Sequence, residues 1–238
     1  TCYFDAVVKA HAEMAQLVVL GAGFDTRCFR LECRPRRCFE VDAPTTQAEK
    51  WEGLCNANID ASHVTFVAVD FANEDWMACL INAGFDPSLS ALFLWEGVTY
   101  YLSDKVVEIT MRHIAGCACA RCVFDVFYSW YSLHPQVVSM MAKAYGEPLI
   151  SGVHYGHEGA PAARAGMQIV EIVDAHHANQ MYVPRNTLGE LLCPAFGAFA
   201  MVVAGTPGVQ IQFATATRVV DITADSGGPV PSFLTSFA

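Results

Sequence analysis

The sequence lacks any apolar run approaching the ~18 residues a bilayer-spanning helix requires. A membrane partner is therefore not expected. Charge is scarce too, and positive charge scarcest. Charged residues make up 16% of the chain, with 14 Lys and Arg against 24 Asp and Glu, for a formal net charge of −10. Clustered Lys and Arg are what neutralise a phosphate backbone, so nucleic acid is excluded as the main partner. The one basic cluster, Arg34, Arg36 and Arg37 around Pro35, reads as a solvated loop. The opening residues, Thr1-Cys2-Tyr3-Phe4-Asp5, lack the charged and apolar regions of a secretory signal, so the expected location is the cytoplasm. Metal-ligand spacing is also missing. Ten cysteines are present, yet Cys117, Cys119 and Cys122 have no second Cys or His pair at finger spacing, and no His-Glu-x-x-His occurs. The cysteines read as small reduced thiols of a core, and no metal is expected.

What the chain has is apolar. Hydrophobic residues make up 53% of 238, which suits one α/β domain with a large core. Apolar runs at Leu17–Leu20, Arg37–Val41, Val64–Val69, Ala91–Trp95 and Arg121–Phe127 read as strands. Helical patterns lie between them, over 3–15, Asp25–Leu31, Pro44–Asn58, Asn73–Ala83 and Ser103–Gly116. Such alternation implies a parallel sheet with helices on both faces, and right-handed crossovers place every strand's C-terminal end on one edge. Beyond it, Leu133–Tyr145 reads as helix, Gly146–Pro161 as loop, and Met167–Val173 and Phe199–Ala204 as a sixth and seventh strand. Residues 1–204 then form the domain. Residues 205–238 form an extension, β-prone over Val209–Ile222 and Gly/Pro/Ser-rich at its end.

The first strand runs straight into Gly21-Ala22-Gly23-Phe24-Asp25, a glycine turn that lets backbone approach a ligand. In a dinucleotide fingerprint the third glycine would fall at Thr26, and Asp25 stands where a pyrophosphate would lie. A carboxylate there repels phosphate and favours a cation. That disfavours a nicotinamide-dependent oxidoreductase and points to S-adenosylmethionine (SAM), which carries an ammonium and a sulfonium.

Acids also follow strands two, three and four: Glu40 and Asp42, then Asp70, then Glu96. Singly, each has an ordinary alternative as a cap, turn residue or solvated acid. Together, on one sheet edge beside a glycine turn, they match a ligand rich in donors and positive charge. Asp42 lies nineteen residues past Gly23, near the offset at which an acid meets ribose hydroxyls. No His–Asp pair announces a general base. His113 reads as structural, and His154, His157, His176 and His177 fall in or near the irregular second half.

Five segments, Leu20–Arg27, Phe39–Asp42, Val69–Phe71, Gly84–Pro87 and Trp95–Leu102, resemble the leucine carboxyl methyltransferase family. They are closest to its bacterial and fungal branch of SAM-dependent O-methyltransferases. A weaker likeness continues to about residue 204. The resemblance implies a class I, Rossmann-like methyltransferase fold with a seven-stranded, mostly parallel sheet whose last strand is antiparallel. It implies that Gly21 approaches the methionine portion of SAM, with Glu96 near the same end; Gly23 and Asp25, in the same glycine turn, are further candidate cofactor-binding residues. Asp42 would hold the ribose, and Asp70 and Phe71 would border the adenine. The family also uses basic residues ahead of its Tyr-Phe-Asp segment. Here that segment is Tyr3-Phe4-Asp5, so either the source protein is longer than this sequence or the acceptor site is incomplete.

The expected activity is methyl transfer from SAM, yielding S-adenosylhomocysteine (SAH), to a carboxylate or hydroxyl oxygen of a small molecule. Methylation of a protein C-terminus is the nearest alternative, and binding of SAM or SAH without turnover another. Tyr101, beyond strand four, is the candidate for the acceptor pocket, beside Tyr100. Phe127, Tyr128, Trp130 and Tyr131 offer either an aromatic wall or packing beneath a lid. Nothing in the sequence indicates an oligomeric state.

Overall fold

Leu17, Val18, Val19 and Leu20 are all buried, because the strand that carries them lies inside a sheet covered on both faces. The computed structural model describes residues 1–32, 34–71, 73–133, 140, 143–144, 146–183, 187 and 199–208. Its seven strands are β1 (Gln16–Leu20), β2 (Arg37–Asp42), β3 (Val64–Ala68), β4 (Ser90–Trp95), β5 (Cys119–Phe127), β6 (Gln168–Asp174) and β7 (Phe199–Gly205). They stand in the order β3-β2-β1-β4-β5-β7-β6. The pairs from β3 to β5 are parallel, and β7 runs antiparallel to both β5 and β6. The expected architecture, including the reversed last strand, is the observed one.

Strand alternation divides the core. Val18, Leu20, Phe39, Phe93 and Trp95 point to one face, where they meet Trp76 and Leu80 of α4 (Trp76–Asn82) and Met111 and Ile114 of α5 (Asp104–Ala115). Leu17, Val19, Leu92 and Leu94 point to the other and meet Phe4, Val7 and Val8 of α1 (Cys2–Ala10). α5 begins where expected, with Ser103 Oγ accepting the Val106 N–H at 3.4 Å. α4 begins later than the expected Asn73, because Asp75 caps it, accepting the Met77 and Ala78 N–H groups.

Several short helices escaped the sequence reading, among them a 3₁₀ turn at Thr99–Tyr101 and α8 (Ala175–Tyr182), and the loop expected over Gly146–Pro161 gives way to a helix at Ala160. The remaining helices are α2 (Arg27–Arg30), α3 (Pro44–Asn56), α6 (Ser129–Leu133) and α7 (Ala160–Arg164). Most of the helix expected over Leu133–Tyr145, and all of the extension from residue 209, lie outside the described residues.

The chain builds outward from β1 through β2 to β3, then returns and builds the other way from β4 to β5. Crossovers on either side of the β1/β4 seam therefore diverge, opening a crevice at the strands' C-terminal ends. Gly21 follows β1 there, and Glu96 follows β4.

Candidate functional site

The glycine turn is held by the neighbouring strand. Gly21 and Ala22 N–H groups both donate to the Val41 carbonyl, at 2.8 and 3.2 Å. Gly21 has φ +62° and Gly23 φ +45°, the left-handed region that glycine occupies without a Cβ penalty. A Cβ on Gly21 would also lie 2.5 Å from Val98 Cγ2, whereas one on Gly23 would meet nothing within 4 Å. The Cα of Gly23 thus faces open space, although Gly23 is not among the walls of the adjoining crevice. Asp42 ties the turn to β2: its carboxylate accepts the Gly23 N–H at 2.5 Å and the Ala43 N–H at 2.6 Å.

Beside the turn lies a cation that sequence reasoning missed. Arg27 is only 3% exposed. Its Nε donates to Asp5 at 2.7 Å, its Nη1 to Asp25, and its Nη2 to Glu96 at 2.5 Å. Asp25 also accepts the Arg27 N–H at 2.7 Å, so it serves the local turn as well. The other Glu96 oxygen accepts Thr1 Oγ1–H at 3.2 Å. Part of the positive charge that Asp25 and Glu96 called for is therefore the protein's own. A signal was present, because Arg27 closes the same Gly-Phe-Asp-Thr-Arg segment and is followed by core residues.

A second buried ion pair underlies the turn. Lys50 Nζ lies 2.5 Å from Glu40 and donates to the Asp25 carbonyl at 2.6 Å. Burial pushes the Glu40 carboxyl above its usual range even though Lys50 pulls the other way.

The structure brings Gly21, Asp25 and Glu96 to one crevice of about 320 Å³, with Ala22, Phe24 and Arg27 also in its walls. Asp42 adjoins it through Gly23. Asp70 and Phe71 are not among its walls. They stand at the end of β3, beyond Asp42, whose carbonyl accepts the Val69 N–H at 2.8 Å. There Asp70 accepts Asn73 Nδ2–H at 2.7 Å, and the half-buried Phe71 ring lies 6.1 Å from that of Trp76.

Past β4 the chain turns at Gly97 (φ +79°) into the 3₁₀ turn. Tyr100 lines a second cavity of about 280 Å³ together with Phe127, Ser151, His154, His157 and Arg164. Tyr101 is not in its walls: its hydroxyl reaches Glu147 at 3.5 Å. Of the four aromatics at the end of β5 and beyond it, only Phe127 lines the cavity; Tyr128 is buried and Trp130 exposed. His154 Nδ1 lies 3.1 Å from Ser129 Oγ, and His177 on α8 pairs with Asp174 at 2.8 Å. The half-buried His113 ring sits 5.6 Å from that of the core residue Trp76.

Asp125 is a further acid the sequence reading passed over, although an Asp inside the run Val123-Phe124-Asp125-Val126 was the available signal. Its carboxylate accepts the Gly97 N–H at 2.8 Å, and its carbonyl accepts Thr99 Oγ1–H at 2.6 Å. It thus fixes the Glu96–Thr99 bend. Burial, with Glu96's charge adding, pushes its carboxyl up to about 7 against the Gly97 bond.

Glycine turn, strand-end acids and a reversed final strand together define a narrow class of relatives. Residues 1–115 match the leucine carboxyl methyltransferase family. The resemblance carried by the five segments is thereby borne out. A Streptomyces avermitilis protein named as a candidate S-adenosyl-L-methionine-dependent methyltransferase is 31% identical over 176 residues, covering 71% of this chain and 54% of that protein. A Mycobacterium tuberculosis protein of the same designation is 41% identical over 96 residues, covering 40% of this chain and 27% of its own length. The matched region thus spans about half, or less, of these relatives.

Among solved structures, a DUF574 family protein from Streptomyces avermitilis superposes with a TM-score of 0.62 at 17% identity, over 87% of this chain and 82% of its own. The N-methyltransferase NodS from Bradyrhizobium japonicum, in complex with S-adenosyl-L-homocysteine, superposes at 0.51 and 10% identity, over 87% and 86%. At these identities the likeness is one of fold, and that fold is the class I methyltransferase fold. Among the described residues no helix is long and apolar enough to cross a membrane.

Proposed function

We propose that this chain carries the SAM-binding half of a methyltransferase that modifies a carboxylate or hydroxyl oxygen of a small molecule. One observation carries the reading. A glycine turn with open space before Gly23 stands at the β1/β4 switch point, and carboxylates close both sides of the crevice. The relatives' designations support the SAM-dependent methyl transfer in this reading.

When bound, SAM supplies a methyl group activated on a sulfonium. Gly21 and Gly23 let the backbone approach the methionine portion. Asp25 and Glu96, each held by Arg27, present negative charge to it. Asp42 is rigid through the Gly23 and Ala43 N–H groups and would receive the ribose hydroxyls on its remaining lone pairs. Asp70 and Phe71, one strand further out, would border the adenine. The protein's contribution is alignment, because displacement at a methyl carbon needs donor, carbon and acceptor oxygen in line. A carboxylate acceptor is already ionised near neutral pH and needs no base.

Calorimetric titration with SAM, SAH and NADH tests this reading. Binding of SAM and SAH is expected, weakened about tenfold or more by Asp42→Ala and by Asp70→Ala. NADH binding without a SAM response would replace the reading with an oxidoreductase. Full SAM affinity in both variants would overturn the residue assignment.

A further inference from the structure

The cavity beyond Tyr100 belongs to neither the glycine turn nor its acids. Its volume of about 280 Å³ is near the lower end for small-molecule sites. One wall is aromatic: the Tyr100 and Phe127 rings lie 4.5 Å apart at an interplanar angle of 57°, and the buried Val107 and Val126 continue that surface. The other side is basic, formed by Arg164 at the end of α7 and His157 in the loop before it.

Among the described residues, the Arg164 guanidinium and the His157 ring have no hydrogen-bond or ion-pair partner. That contrasts with Arg27 and Arg30, which are occupied by carboxylates, and with Arg112, paired to Glu108. An arginine in a cavity wall with no carboxylate partner among the described residues is a donor available to an anion. Asp104 is the only acid among the wall residues, and it is more than 4 Å from that guanidinium. Ser151 Oγ already donates to the Thr99 carbonyl at 3.0 Å, so the guanidinium is the stronger free donor.

We propose that this cavity is the acceptor site and takes a small planar aromatic carboxylate. The ring lies against Tyr100 and Phe127, and the carboxylate is received by the Arg164 fork with His157 beside it. Tyr100 points towards the bend that follows Glu96: its hydroxyl stands 3.8 Å from where a Cβ on Gly97 would be. The inference rests on the methyl-transfer reading above, and it adds the class of molecule.

Benzoate, benzyl alcohol and acetate are the probes, titrated into the full chain with and without SAH. Benzoate is expected to bind about tenfold tighter than either of the others, since only it has both ring and charge. Arg164→Gln, at an exposed position, should remove that advantage over benzyl alcohol. Phe127→Leu should remove the advantage over acetate. Equal affinity for benzoate and benzyl alcohol, or an Arg164→Gln variant that binds benzoate as tightly as the parent, overturns the inference. SAH affinity in the same samples separates the two readings. SAH binding without benzoate selectivity sinks the acceptor site alone, whereas absence of SAH binding sinks the methyl-transfer reading and the acceptor role with it.

Discussion

Arg27 and Glu96 are 69 residues apart in sequence and 2.5 Å apart in space, joined across the seam between β1 and β4. The guanidinium also holds Asp25 from the glycine turn and Asp5 from α1, so three elements converge on one buried cation. Removing that charge leaves Asp25 and Glu96 without their guanidinium, while Asp5 keeps Arg30.

Arg27→Gln should therefore cost roughly 3–5 kcal/mol of stability, the range for deleting one partner of a buried ionic cluster. Arg27→Lys should recover part of it, since a point charge can meet one or two of the acids but not all three. Urea denaturation of the three proteins checks this. A loss below ~1 kcal/mol for Arg27→Gln would show that the cluster is solvated rather than buried.

The glycine at 21 answers to both conformation and space. Gly21→Ala places a Cβ 2.5 Å from Val98 Cγ2 at φ +62°. A loss of roughly 2–4 kcal/mol is expected from strained backbone together with overpacking. Adding Val98→Ala should return the steric part and leave the backbone part. A double-mutant cycle in thermal or urea melts measures the coupling; additive losses would mean that Val98 is not the obstacle.

Asp125 gives the stability a pH signature. Its carboxyl is pushed up to about 7 by burial, above the 3.8 of an ordinary Asp. Below the unfolded value both states hold the proton and the group has no effect. As pH rises from about 4 to about 7 the folded state binds more protons than the unfolded one, so stability falls, by on the order of 4 kcal/mol from this group. Asp125→Asn keeps an acceptor for the Gly97 N–H and removes the titration. The variant should match the parent near pH 4 and gain on it progressively up to about pH 7. Parallel stability curves across that range would rule out a titrating Asp125.

Much of the site was legible because its parts are local. Leu17-Val18-Val19-Leu20 could be nothing but an interior strand once followed by Gly-Ala-Gly, and the acids after successive strands had to share an edge in a parallel sheet. Arg27 was legible as a residue but not as a partner. Its three carboxylates come from positions 5, 25 and 96, and only the closure of the sheet brings them within reach. Tyr100 and Tyr101 show the same limit at shorter range, since a 3₁₀ turn sends one ring to the cavity wall and the other towards Glu147.

The sequence by itself determined the sheet, its two buried faces and the edge on which the glycine turn and Asp42, Asp70 and Glu96 emerge. Those follow from apolar periodicity and from the geometry of parallel crossovers. Tertiary structure alone decided which charges neutralise one another, that Asp125 is buried against Gly97, and that Arg164, unpaired among the described residues, lines the same cavity as Phe127. Burial and ion pairing depend on distances between segments far apart in the chain, and no spacing along the sequence encodes them.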